Sequence, residues 1–160
     1  MKPVKVGICG LGTVGGGTFN VLTNNAKDIA RRAGRDIIIE QLAMRHPNPA
    51  VEIGSVKTTE DVADVISNPD IDIVVELIGG YTVAKDVVMG AIENGKHVVT
   101  ANKALIAVYG SEIFAAAEPD EKTTGSPIAY PVPALSTIIS DTPPRPTSSM
   151  VILQPVPPPV

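Results

Sequence analysis

The chain has 160 residues, a formal net charge of -4 and a sequence pI near 5.1. That length suits one domain able to bury a real core, and the mild acidity argues against a nucleic-acid binder, which carries a basic face. Cys9 is the only cysteine, so no internal disulfide forms; with no leader-like start and no apolar run near the roughly 18–20 residues of a membrane span, a soluble cytoplasmic protein is expected.

Residues 4–9 are a short apolar run and read as a first strand. Six glycines then fall within residues 7–17. From 14 to 33, Phe19, Leu22, Ala26, Ile29 and Ala33 recur at three and four, one face of a helix. Residues 37–43 are rich in branched side chains and read as strand two. Thr58 and Asp61 resemble a capping box ahead of a short helix bearing Val62, Val65 and Ile66, which Asn68-Pro69 stops. Residues 71–78, IDIVVELI, read as strand three. A helix follows over 82–94, with Val83, Val87 and Ala91 inward and Gly95 at its stop. Residues 97–100 are strand four, and 102–118 are helical with a break expected near Gly110-Ser111. Strand and helix thus alternate four times. Strands of near-continuous Val and Ile are covered on both faces, which implies an α/β, doubly wound parallel sheet.

Proline divides the chain. Residues 1–118 hold four, and the 42 residues from Pro119 onward hold eleven. Proline lacks the amide hydrogen and clashes with a preceding helical turn, so 119–160 reads as a proline-rich irregular tail. Within it, 134–140 and 150–153 are apolar enough to pack.

Gly10-Leu11-Gly12-Thr13-Val14-Gly15 is a G-x-G-x-x-G between a strand and a helix, the context that makes the spacing informative. Gly10 permits a tight turn, Gly12 lets a pyrophosphate approach the main chain, and Gly15 lets helix and strand pack closely. The amides of the first helical turn then hold phosphates. The competing reading is a glycine-rich turn used only for packing. Gly16 and Gly17 weaken the helix, so a close neighbour is expected to require them. Strand two ends Ala43-Met44-Arg45-His46, without the acidic residue that holds a ribose 2′-hydroxyl. Arg45 pairs with a 2′-phosphate there, or is a solvated surface charge; Lys57 joins it if its loop folds back. Gly79 and Gly80 end strand three and again allow close approach. Asn102 and Lys103 follow strand four, near the nicotinamide end. Partly desolvated, Lys103 carries a proton or polarises a carbonyl; otherwise it is a surface lysine capping a helix. Glu76 reads as a structural acceptor, Cys9 as inert core, and His97 as surface. No residue is assigned to a metal.

Three stretches, GLGTVGGGTFNVL, DIVVELIGGYTVAKDVVMGAIENGKHVVTANKAL and IAVYGSEIFAAAE, resemble the N-terminal domain of bacterial homoserine dehydrogenases. The likeness covers about residues 1–118. It implies a Rossmann-like NAD(P)-binding domain. It also implies reversible interconversion of L-homoserine and L-aspartate 4-semialdehyde, in threonine and methionine biosynthesis. The family's cofactor contacts fall on Leu11, Thr13 and Val14, Arg45 is its phosphate-selecting position, and its TANKAL lysine matches Lys103. NADP is the implied cofactor, with NAD as the alternative; the implied partner is a small-molecule substrate, with neither nucleic acid nor membrane. Family members continue into a cation-binding segment and a substrate domain, which 119–160 do not match. The chain therefore reads as a truncated cofactor-binding part that binds nucleotide and turns over homoserine barely or not at all. Its bare sheet edge invites association into an oligomer. A non-catalytic nucleotide-binding fragment and another reductase of amino-acid semialdehydes or imines are the alternatives.

Overall fold

A computed structural model describes residues 2–117 and 150–152. Its elements run β1 (Val4–Cys9), α1 (Thr13–Asn24), α2 (Ala26–Ala33), β2 (Ile37–Ala43), β3 (Lys57–Thr59), α3 (Val62–Ile66), β4 (Ile73–Glu76), α4 (Thr82–Glu93), β5 (His97–Thr100), α5 (Lys103–Ala117) and β6 (Met150–Ile152). All the strands are parallel, in the order β3-β2-β1-β4-β5-β6. The chain moves outward from β1 to β2 and β3, then crosses back to β4 on the other side. β1 and β4 therefore flank the point where the strand order reverses.

Alternation along the strands sorts the apolar side chains into two cores. Val4, Val6, Ile8, Leu42 and Val75 pack with Phe19 of α1 on one face. Cys9, Ala43, Val74 and Val98 pack on the other with Val65 of α3, Val87 and Ala91 of α4, and Leu105 and Ile113 of α5. The sheet is covered on both sides, as its run of branched residues requires. Gly7 is the point of closest approach on the second face. A Cβ there would stand 2.5 Å from Val65 Cγ1, so α3 seats directly against β1.

Several elements depart from the sequence reading. The helix expected over 14–33 is two, α1 and α2, parted at Asn25, whose backbone leaves the helical region (φ -108°, ψ 18°) and whose side chain donates to Val21 O at 3.1 Å. The Val21 carbonyl takes the Asn25 backbone N–H as well, so the side chain caps the end of α1. β3 was not expected; it is three residues, polar, and pairs Lys57, Thr58 and Thr59 with Gln41, Leu42 and Ala43. The cap of α3 is Asp61, whose carboxylate accepts from Ala63 N at 2.9 Å, and Thr58 lies in β3. α5 runs unbroken through Gly110. An interior glycine costs about 1 kcal/mol, and the packing of α5 on α4, including Lys85–Glu112 at 2.8 Å, holds that turn helical. His97, expected at the surface, is half-buried in β5. Of the tail read as irregular, Met150–Ile152 pair with Val98–Thr100 as β6; the expectation for 134–140 lies outside the described residues.

Candidate functional site

The carboxyl ends of β1, β2, β4 and β5 form one edge, and the loops and helix starts that follow them carry the candidate cofactor contacts Gly10 to Gly15, Arg45, Gly79, Gly80 and Lys103. Their backbones are tied together: Gly10 N donates to Ala43 O at 2.9 Å, and Leu77 N to Cys9 O at 2.8 Å. The edge is therefore a fixed platform from which the loops project.

The three motif glycines do different things. Gly10 has φ +97°, in the left-handed region, and a Cβ would meet the Leu77 carbonyl at 2.6 Å. Gly15 is buried, and a Cβ there would land inside the shell of the Gly10 carbonyl oxygen, so the first turn of α1 sits against the loop. Gly12 is exposed, and nothing lies within 4 Å of where its Cβ would be. Packing explains Gly10 and Gly15; it does not explain Gly12. Gly12 is also the N-cap of α1 and supplies no side-chain acceptor, and no acidic side chain stands in the first turn. The positive end of α1 is thus left bare beside an open space, the arrangement a diphosphate fits. Thr13 and Val14 are exposed at the tip, while Leu11 is turned into the core and faces the edge only through its backbone.

Gly16 fits the expectation of a close neighbour: a Cβ would stand 2.7 Å from Asn48 Nδ2 and 2.8 Å from Val51 Cγ2. Gly17 does not, since its Cβ would meet nothing within 4 Å.

Arg45 is exposed just past the end of β2. Lys57 lies opposite Gln41, two residues short of that end, so its loop does not fold back beside Arg45. Gly79 and Gly80 are exposed with open space at each Cβ position, and Gly80 has φ +80°. Lys103 is the first residue of α5 and is exposed, so the described residues do not desolvate it.

Beneath these loops lies a buried polar chain. Glu76, fully buried at the end of β4, accepts from Ile78 N at 2.6 Å and from Thr100 Oγ1 at 2.5 Å. The Thr100 hydroxyl accepts in turn from Asn102 N at 3.1 Å. Asn102 donates through Nδ2 to Ile78 O and Gly80 O, and its Oδ1 accepts from Leu105 N at 3.0 Å. The chain fixes the Gly79–Gly80 loop to the start of α5 and hence to Lys103. Burial raises the Glu76 carboxyl above its ordinary range against the pull of these donors. Burial, with Glu76 beside it, pushes the Cys9 thiol up to about 12, so it stays protonated and unreactive.

Asn48 was not singled out in the sequence. It lies in the loop after β2 and donates through Nδ2 to Leu11 O at 2.9 Å and to Gly12 O at 3.3 Å, while its Oδ1 accepts from Ala50 N at 3.0 Å. The signal was an asparagine between Pro47 and Pro49, which marks a turn but not what the turn grips. Among the described residues, no cluster of His, Cys, Asp or Glu is arranged to hold a metal ion, and no helix is long and apolar enough to cross a membrane.

Comparison with known proteins gives this edge a context. The family described as homoserine dehydrogenase, NAD binding domain, matches residues 10–127. A homoserine dehydrogenase of Pseudomonas aeruginosa is 70% identical over 117 residues, covering 73% of this chain and 27% of that protein. One from Methylobacillus glycogenes is 61% identical over 109 residues, covering 67% of this chain and 26% of that protein. The crystal structure of a homoserine dehydrogenase from Thiobacillus denitrificans superposes with a TM-score of 0.67 at 55% identity, covering 72% of this chain and 27% of that one. The chain thus spans about a quarter of the length of the relatives it matches. The family match takes in well over half of the chain, and the chain belongs to the homoserine dehydrogenase NAD-binding domain family.

Proposed function

We propose that this chain binds NADP at the carboxyl edge of β1, β2, β4 and β5, as the cofactor part of homoserine dehydrogenase chemistry. The observation that carries the reading is Gly12: a glycine with open space over it, at an uncapped helix start, has no packing role to account for it. The diphosphate rests over Gly12, Thr13 and Val14, with Gly10 and Gly15 shaping the turn. The adenosine end extends toward β2 and the nicotinamide toward Gly79, Gly80 and Lys103, since ligands of such sheets straddle the reversal of strand order. When bound, the dinucleotide accepts or supplies the hydride. The chain's own residues orient it, and Lys103 is the group that would hold or pass a proton at the substrate oxygen. Homoserine and aspartate 4-semialdehyde are the proposed substrate pair of the whole enzyme, on the strength of the family's name. A cytoplasmic location accords with a lone buried thiol.

NADP is favoured over NAD by Arg45. The residues just past β2, Met44 to His46, hold no acid, and Arg45 among them is exposed and carries the guanidinium that pairs with a 2′-phosphate. Titrating the chain with NADPH and NADH, with thermal unfolding as the readout, tests both levels of this proposal. The expected result is stabilisation by both and tighter binding of NADPH, with the preference lost in Arg45→Ala. Failure of either carrier to bind at millimolar concentration removes the proposal; equal affinities removes only the NADP assignment.

A further inference from the structure

We infer that Asn48 is a positioning residue for the dinucleotide, a lock that aims the amides of the glycine loop at the diphosphate. The inference rests on the nucleotide reading above. The trans peptide unit is planar, with C=O and N–H pointing opposite ways. Whatever fixes the carbonyl of Leu11 therefore fixes the N–H of Gly12, and whatever fixes the carbonyl of Gly12 fixes the N–H of Thr13. The Asn48 amide grips both carbonyls from behind. The Gly12 carbonyl also accepts from Gly16 N at 2.8 Å in the first turn of α1, so the bond that sets Asn48 apart is the one to Leu11 O, which aims the Gly12 N–H from a residue with no side chain and open space above it. A flexible glycine is needed for close approach, and flexibility is what a phosphate cradle has to avoid. Asn48 answers that conflict from a neighbouring loop. It also joins the two ends of the ligand, because it lies three residues beyond Arg45 in the loop that meets the adenosine side.

The atoms of Asn48 admit one arrangement. Oδ1 takes the Ala50 amide, and Nδ2 faces two carbonyl oxygens. Aspartate has the same shape and keeps the Ala50 bond, yet turns an acceptor toward two acceptors. The loop also explains Gly16. A methyl group there would press on Asn48 Nδ2 and on Val51, so the extra glycine of the motif makes room for the lock.

The test uses the 160-residue chain with Asn48→Asp, Asn48→Ala and Gly16→Ala, each checked for folding by thermal unfolding. Affinity is measured for NADPH and for adenosine 2′-monophosphate, which has the adenosine end and no diphosphate. All three variants should bind NADPH about tenfold more weakly, as expected for two mispositioned hydrogen bonds, and adenosine 2′-monophosphate within about twofold of the parent. In the free chain, backbone order parameters at Gly12 and Thr13 should fall in each variant. Parental NADPH affinity in Asn48→Asp, or an equal loss for both ligands, overturns the inference and leaves nucleotide binding intact. A parent chain that binds neither NADPH nor NADH overturns the nucleotide reading and this inference with it.

Discussion

Two glycines three positions apart separate what the fold needs from what the ligand needs. At Gly15 a methyl group runs into the Gly10 carbonyl, so Gly15→Ala should lower stability by about 1–3 kcal/mol, the usual cost of overpacking. At Gly12 an added Cβ has no atom of the protein within 4 Å, so Gly12→Val should melt within a few degrees of the parent yet bind NADPH at least tenfold more weakly. Chemical denaturation and nucleotide titration of the pair measure both effects; equal binding by parent and Gly12→Val would count against the diphosphate site. Glu76 makes a second prediction, in pH. Burial raises its folded pKa above the unfolded one, so the folded state holds this proton more tightly. The stability it contributes is full below the ordinary carboxylate range and declines as pH rises toward the folded pKa. Glu76→Gln is nearly isosteric and keeps an oxygen for Ile78 N, so its unfolding free energy should be flatter over that window than the parent's. Glu76→Ala strands Ile78 N and the Thr100 hydroxyl and should cost about 1–3 kcal/mol. Unfolding curves at stepped pH distinguish the three chains.

Among the elements, those legible in the sequence are the ones whose apolar period is long. α4 buries Ala84, Val87, Val88, Ala91 and Ile92, which is the spacing its sequence displays. β1, β2 and β5 lie where their branched residues put them. What escaped reading depends on single polar side chains acting across the fold. β3 is Lys-Thr-Thr, with no apolar alternation to reveal it, and exists because β2 offers it an open edge. Asn25 parts a continuous apolar stripe by a local backbone turn, φ -108° and ψ 18°, with its side chain on Val21 O. The glycine loop was legible because its spacing is local; Asn48 was not, because it lies 36 residues from the carbonyl of Gly12 that it grips. Buried Lys96 belongs with these, donating to Asn68 O at 2.6 Å and Ile71 O at 2.9 Å to hold the turn before β4 against β5. α3 has five residues, too short to persist by propensity alone, so its cap carries unusual weight. Asp61→Ala should destabilise the fold by about 0.5–2 kcal/mol, and hydrogen exchange should rise first in 62–67. A uniform rise across the sheet would show instead that α3 unfolds only with the whole domain.

Across the whole molecule, the reversal of strand order makes one ligand answerable to both cores. A dinucleotide over that edge touches loops from β1 and β2, which border the α1 core, and from β4 and β5, which carry α4 and α5 on the opposite face. It binds only when the four strand ends are in register, so it should stabilise the entire fold. At a hundredfold excess over Kd the gain is about 2.7 kcal/mol. Turnover makes a different demand. Hydride transfer needs the substrate carbon held against the nicotinamide, and such positioning contributes about 7–11 kcal/mol. At that end Asn102 is already committed, with its amide on two carbonyls and its oxygen on Leu105 N. Lys103, the next residue, stands in water. One solvated ammonium orients a small amino alcohol poorly. The chain by itself should therefore be stabilised by NADPH and yet reduce NADP with L-homoserine at least about 10⁵-fold more slowly than a full-length relative assayed beside it. Rates within a hundredfold of that relative would show that this chain holds both halves of the reaction, and the division of labour argued from Asn102 and Lys103 would be wrong.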